Sequence, residues 1–225
     1  MIIKELALYT NLIEELIEFY TQTLELALIK EDESSFAVSC GDSVLMFTLT
    51  NGIKDPFYHF AFNIPENKFK EAKDWISGKT ELIKLNGEDE FDFRSWNAHS
   101  VYFYDPSGNI IELIARHNLN NASDEEFSGR SILSVSEAGL PVDDVDRFFS
   151  EVNKEFNIPQ FSGDRSAFCA AGDDSGLFII VSKGRKWFPD CGDAEIFPLL
   201  IIIRSNIEKE LEFENLPYKI ISSDK

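Results

Sequence analysis

Three ionisable side chains stand on segments that are otherwise apolar: Glu5 in IIKELALY (2–9), His59 in HFAFNI (59–64) and Glu112 in NIIELIA (109–115). A carboxylate or imidazole on an apolar strand face is costly to bury unless something pairs with it. Strand alternation puts Glu5 with Ala7 and Tyr9, His59 with Ala61 and Asn63, and Glu112 with Ile110 and Ile114, each set on one face. Other chemistries leave no trace. The chain has no Walker-type loop, no G-x-G-x-x-G, no G-x-S-x-G and no Cys–His nucleophile arrangement. The carboxylate runs Glu31-Asp32-Glu33 and Glu88-Asp89-Glu90 lack the spacing and glycine of a calcium loop and read as solvated surface. Cys40, Cys169 and Cys191 form no C-x-x-C, so neither a disulfide framework nor a structural zinc site is expected.

The elements that must position these side chains follow from the apolar pattern. Residues 2–9 read as a strand, Thr10-Asn11 as a turn, and Leu12 to Leu28 as an amphipathic helix with Leu12, Ile13, Leu16, Ile17, Phe19, Tyr20 and Leu24 at helical spacing. Phe36–Ser39 and Ser43–Thr50 read as a hairpin about the turn Gly41-Asp42. The order then restarts. HFAFNI is a strand, Pro65-Glu66-Asn67 opens a helix to about Ser77, and two or three strands follow. The clearest are His99–Tyr104 and Asn109–Ala115, joined by Asp105-Pro106-Ser107-Gly108. Residues 117–129 have the composition of a linker.

Beyond that segment the pattern repeats at an offset of 132 positions. EAGL (137–140) matches ELAL (5–8), and each precedes an amphipathic helix. Phe168 with CAAGDD answers Phe36 with AVSCGD, LFIIV (177–181) answers VLMFT (44–48), and PLLIII (198–203) answers HFAFNI. Glu137 thus stands where Glu5 does, but Pro198 replaces His59, so the second half does not repeat the full set of polar side chains. The chain is read as closing with a short helix near 206–213 and a strand at 217–222. The run GRKWFPD (184–190) is read as a cap on a cavity or an interdomain contact.

With 225 residues, 44% of them hydrophobic, the chain can form one large domain or two of roughly 100 residues. A net charge of −19 repels phosphate backbones and anionic lipid surfaces, which argues against nucleic-acid and membrane partners. No 18-residue apolar run occurs, and the N-terminus lacks the basic start and cleavage site of a signal peptide, so a cytoplasmic location is expected.

The stretch HSVYFYDPSGNIIELIAR (99–116) resembles the closing hairpin of the vicinal oxygen chelate superfamily, which includes glyoxalase I, bleomycin resistance proteins and extradiol dioxygenases. Ser100, Tyr102, Phe103, Asp105, Pro106, Gly108, Asn109, Glu112 and Leu113 carry the match, and residues 5–26 and 59–64 resemble the openings of that family's two modules. The resemblance implies an α+β fold of tandem βαβββ modules forming curved, half-open barrel-like sheets. It implies a complete domain of two modules at 1–116, a linker at 117–129 and a shortened, degenerate second domain at 130–225. Carried over residue by residue, it makes His59, Glu112 and Glu5 metal ligands. The family's remaining ligand position falls within Leu45–Thr48, which offers no donor. Two carboxylates and an imidazole around an open position would suit iron, manganese, zinc or nickel; no organic cofactor is implied. Tyr102, His99 and Arg116 are the expected substrate-binding residues. The expected function is a metal-dependent lyase, isomerase or dioxygenase acting on a small oxygenated molecule, in a homodimer as relatives commonly form. The alternative is a non-catalytic protein that sequesters a small molecule, as bleomycin resistance proteins do.

Overall fold

A computed structural model describes residues 1–224, in which four units follow one another along the chain. The first contains β1 (Ile3–Thr10), α1 (Ile13–Glu18), β2 (Ala27–Asp32), β3 (Ser35–Cys40) and β4 (Ser43–Leu49). The second contains β5 (His59–Ile64), α2 (Phe69–Ser77), β6 (Phe91–Phe93), β7 (Ala98–Tyr104) and β8 (Ile110–Arg116). The third repeats this order with β9 (Ser134–Val142), α3 (Val145–Phe156), β10 (Gln160–Gly163), β11 (Phe168–Asp173) and β12 (Gly176–Ser182). The fourth has β13 (Leu199–Arg204), β14 (Lys209–Phe213) and β15 (Leu216–Ser223). The first three units are the expected α+β arrangement of βαβββ modules; the fourth has three strands and no helix among the described residues.

Local chemistry accounts for the boundaries. The Thr10 hydroxyl accepts the Leu12 amide at 2.9 Å in the turn before the first helix. That helix passes into a π-helical turn at Phe19–Thr23, and Glu25 then takes a left-handed φ of 56°. The helix expected to reach Leu28 therefore stops early, and Ala27 opens β2 along β3 instead. Asp144 caps α3 by accepting the Arg147 amide, and Asn157 ends it in the left-handed region. The helix expected near 206–213 is the strand β14: Leu211 and Phe213 alternate with Glu210 and Glu212, and Lys219 of β15 bridges both glutamates. No helix among the described residues is long and apolar enough to cross a membrane.

All 15 strands join one hydrogen-bonded sheet, running β14-β15-β13-β1-β9-β5-β8-β7-β6, with β4 added on β1 and β12 on β9. The units pair across residues 117–129. Strand β5 lies antiparallel to β9, and β1 lies antiparallel to β13. The opening strands of the first two units are not neighbours. One sheet face carries Leu6, Leu8, Phe60, Phe62, Leu113 and Ile180, all buried in the main core with residues of α1, α2 and α3. The opposite face carries a cavity where the second and third units meet. Within the hairpin expected at 99–116, Asp105 accepts the amides of Ser107 and Asn109 and the Asn109 side chain, and Tyr20 donates to it at 2.8 Å. Gly108 supplies the φ of +80° that this turn requires.

Candidate metal centre

The hollow between the second and third units holds a cluster of buried ionisable side chains. His59 projects from β5, Glu112 from β8 and Glu137 from β9, and one ligand atom of each lies within 4.8 Å of the others. His59 Nε2 stands 3.8 Å from Oε2 of Glu112 and 3.8 Å from Oε2 of Glu137. All three residues are buried.

Strand register explains the convergence. In the β5–β8 pair, Glu112 lies opposite Ala61, two residues beyond His59. Antiparallel pairing of β5 with β9 sets Glu137 opposite Ala61. The place equivalent to Glu112 in the third unit lies opposite Gly139, two residues beyond Glu137, and is occupied by Ile179. The site therefore has three donors and one aliphatic side chain where a fourth donor would stand.

The donors fit a divalent ion. His59 Nδ1 lies 3.1 Å from the Ile110 carbonyl, which can only accept, so the proton belongs on Nδ1 and the Nε2 lone pair faces the two carboxylates. Two metal–ligand bonds of about 2.1 Å can meet at one ion when their donors are up to about 4.2 Å apart, and both His59–carboxylate separations lie inside that reach. Three acceptor atoms facing one another in a buried site are stabilised by a proton or a cation between them. Burial and then the nearby Glu137 push the Glu112 carboxyl up to about 8, with His59 pulling the other way. Burial disfavours the His59 imidazolium, but Glu137, Glu112 and the Ile110 carbonyl outweigh it and leave His59 above its ordinary pKa.

Both shifts have the same sign for the metal-free protein. Each favours the protonated group in the fold, a contribution complete below the unfolded pKa and lost as pH rises through the folded one. Chelator-treated protein should therefore lose stability between pH 4.5 and about 8. Thermal unfolding across that range checks this, and Glu112→Gln should flatten the slope. An unchanged slope in the variant would assign it to other groups.

Arg116 holds the third donor. Its guanidinium is fully buried, its Nη2 donates to Glu137 Oε1, and its Nε donates to Ser136 Oγ at 3.2 Å. Nη1 has no hydrogen-bond partner and lies 3.9 Å from Asp174 Oδ1. The guanidinium also packs over the Trp96 ring at 5.5 Å. Arg116 thus fixes one oxygen of Glu137 and leaves the other for the site.

A cavity of about 180 Å³ opens from these donors, walled by Phe93, Trp96, Tyr102, Phe168, Ile179, Trp187 and Phe188, with Arg185 also lining it. The GRKWFPD run supplies the last two aromatic walls and Arg185, so it caps this hollow. Trp187 sits against the His59 ring, centroids 4.9 Å apart. Gly139 permits this approach, because a Cβ there would meet Trp187 Cη2 at 2.8 Å and the His59 carbonyl oxygen at 2.9 Å. Gly139→Ala should displace the indole and red-shift its emission, measured against the same substitution in Trp187→Phe. An unshifted spectrum would show that the indole can remain in place.

Among the residues expected from sequence, the structure brings His59 and Glu112 together and sets Tyr102 in the cavity wall, opposite Glu112 on the neighbouring strand. Glu5 is elsewhere. It lies half-buried on β1 beside Val44 and Ile202, where the first and fourth units pair. Burial raises its carboxyl pKa, with Lys30 offsetting in part. The other three corresponding places, by the same register, are Met46, Leu200 and Ile221, none of them a donor. Arg116 lies behind Glu137 rather than in the cavity wall, a correction forced by its complete burial. His99 is also outside the wall, since its Nδ1 meets His117 Nε2 at 2.8 Å and its ring packs on Phe69. Glu137 is the donor that sequence reasoning missed, although it occupies the place of Glu5 in the repeat.

Residues 2–113 match the model of the Glyoxalase/Bleomycin resistance protein/Dioxygenase superfamily. Among solved structures, a putative dioxygenase from Bacillus subtilis superposes with a TM-score of 0.64 at 13% identity, covering 99% of this chain and 85% of the other. Glyoxalase I from Zea mays superposes with a TM-score of 0.59 at 13% identity, covering 98% and 91%. At such identities these likenesses speak for the fold. A search of curated proteins finds no match. Through residues 2–113 the chain belongs to the glyoxalase, bleomycin resistance protein and dioxygenase superfamily.

Proposed function

We propose that the chain is a metal-dependent enzyme of the glyoxalase or dioxygenase type, acting on a small molecule with two neighbouring oxygens. The convergence of buried His59, Glu112 and Glu137 at the base of an aromatic cavity carries this reading. Imidazole with two carboxylates suits iron, manganese, zinc or nickel. A divalent ion held there would act as a Lewis acid toward the substrate's oxygens. The rest of the work falls to the protein. The Ile110 carbonyl orients His59, Arg116 orients Glu137, and Trp187, buried against the His59 ring, limits water at the base of the cavity. Ile179, in the fourth place, donates nothing and leaves that side of the site to substrate or water.

The test is metal analysis of protein purified without chelator, beside His59→Ala. One tightly held divalent ion per chain is expected, lost from the variant after dialysis. Equal metal content in both proteins would overturn the reading. An ion-free cavity that still binds small molecules would favour sequestration instead.

A further inference from the structure

Behind the three donors, the nitrogens of Arg116 are divided among separate partners. Nε donates to Ser136, Nη2 donates to one oxygen of Glu137, and Nη1 stands 3.9 Å from Oδ1 of Asp174. Neither Nη1 nor that Asp174 oxygen has a hydrogen-bond partner among the described residues, although both are buried. Charge alone joins them.

Asp174 is itself held in place. With Ser175 it forms the tight turn between β11 and β12, closed by the pairing of Asp173 with Gly176. Asn118, just beyond Arg116 in the chain, donates to Asp174 Oδ2 at 3.3 Å. Asn63, on the face of β5 that carries His59, donates to the Ser175 carbonyl at 3.3 Å. Asp173 pairs with the amino group of Met1 and accepts the Ser175 amide at 2.8 Å. The first and second units thus pin the turn of the third.

This matters for the way Arg116 meets Glu137. A guanidinium and a carboxylate favour a two-point fork that occupies both oxygens. Such a fork would draw Oε2 away from His59, whose Nε2 it faces at 3.8 Å. In the structure only Oε1 accepts from Arg116. The attraction of Asp174 for Nη1 opposes the swing that the fork requires.

From this arrangement we infer that Asp174 is a positioning residue for the metal centre: it restrains Arg116 to one oxygen of Glu137 and keeps Oε2 free for the ion. The inference rests on the metal-centre reading above. It gives the β11–β12 turn, which does not line the aromatic cavity, a part in the affinity of the site.

Calorimetric titration with Mn²⁺ after chelation is the test. Asp174→Asn keeps the shape and removes the charge, and should bind the ion about tenfold less tightly, the scale found for outer partners of metal ligands. Asp173→Asn makes the same charge change on the same turn but breaks the contact with Met1. It should lower thermal stability and leave the affinity unchanged. In an Arg116→Lys background, which has no fork to restrain, adding Asp174→Asn should have no further effect, since the double change isolates what passes through the guanidinium. The visible spectrum of Co²⁺-loaded protein should change in Asp174→Asn and not in Asp173→Asn. Equal losses of affinity from the two aspartate variants would assign the effect to general charge, and a loss that persists in the Arg116→Lys background would bypass the guanidinium; either overturns the inference. Unchanged affinity in Asp174→Asn overturns it while the metal centre stands, whereas a parent protein that binds no ion removes both together.

Discussion

Glu137→Ala is expected to bind a divalent ion at least a hundredfold less tightly than the parent protein, and Glu5→Ala is expected to bind it unchanged. The two glutamates occupy equivalent places in the repeat, so their contrast isolates the effect of strand pairing. Glu137 lies beside His59 because β9 is hydrogen-bonded to β5, whereas Glu5 lies among Val44 and Ile202. Loss of one of three protein ligands removes a metal bond and leaves Arg116 buried without its carboxylate. Calorimetric titration with Mn²⁺ or Ni²⁺ after chelation reads both variants. Equal losses from Glu5→Ala and Glu137→Ala, or none from either, would dissolve the site described here.

The second large effect concerns Arg116. Replacing it with methionine leaves the Glu137 carboxylate buried with no counter-charge on that side, which for a broken buried pair costs about 3–5 kcal/mol. Urea unfolding of chelated protein should show a loss of this order, together with weaker metal binding. Arg116→Lys should recover most of the stability but not the metal affinity. An ammonium supplies charge without the fork that reaches Glu137 and Ser136 together. A methionine variant within 1 kcal/mol of the parent, by the usual scale of single-site effects of roughly 0.5–3 kcal/mol, would remove Arg116 from this role.

The parts legible in the sequence were those whose chemistry is local. Asp105, Ser107, Gly108 and Asn109 satisfy one another within five positions, so their spacing announced the hairpin and placed Glu112 on a strand. His59 was legible for a similar reason, as a polar residue in an apolar run. The partner of β5 was not legible, because which strand lies beside it is decided by contacts across more than 70 residues: Asn63 sits opposite Ser134. The family resemblance puts a ligand on the first strand of the first module, and that carry-over selected Glu5. The match of Glu137 to Glu5 was visible, but the absence of a histidine at Pro198 argued against a second site. In fact the third unit shares the histidine of the second. Strand β14 was misread because Glu208, Lys209, Glu210 and Glu212 carry helix-favouring side chains, while the alternation of Leu211 and Phe213 was too short to outweigh them.

The nesting of the units, the first with the fourth around the second with the third, bears on how the polypeptide is made. Ile3 must find Ile203, about 200 residues later. At translation rates of roughly 5–20 residues per second, that separation amounts to on the order of 10–40 s of synthesis. Throughout that interval one edge of β1 lacks its final partner, and unpaired edges are where chains aggregate. Such distant pairing also predicts slow refolding after dilution from denaturant. Nascent β1 therefore depends on early pairing with β4, only some 40 positions away, to keep its other edge occupied while the ribosome finishes.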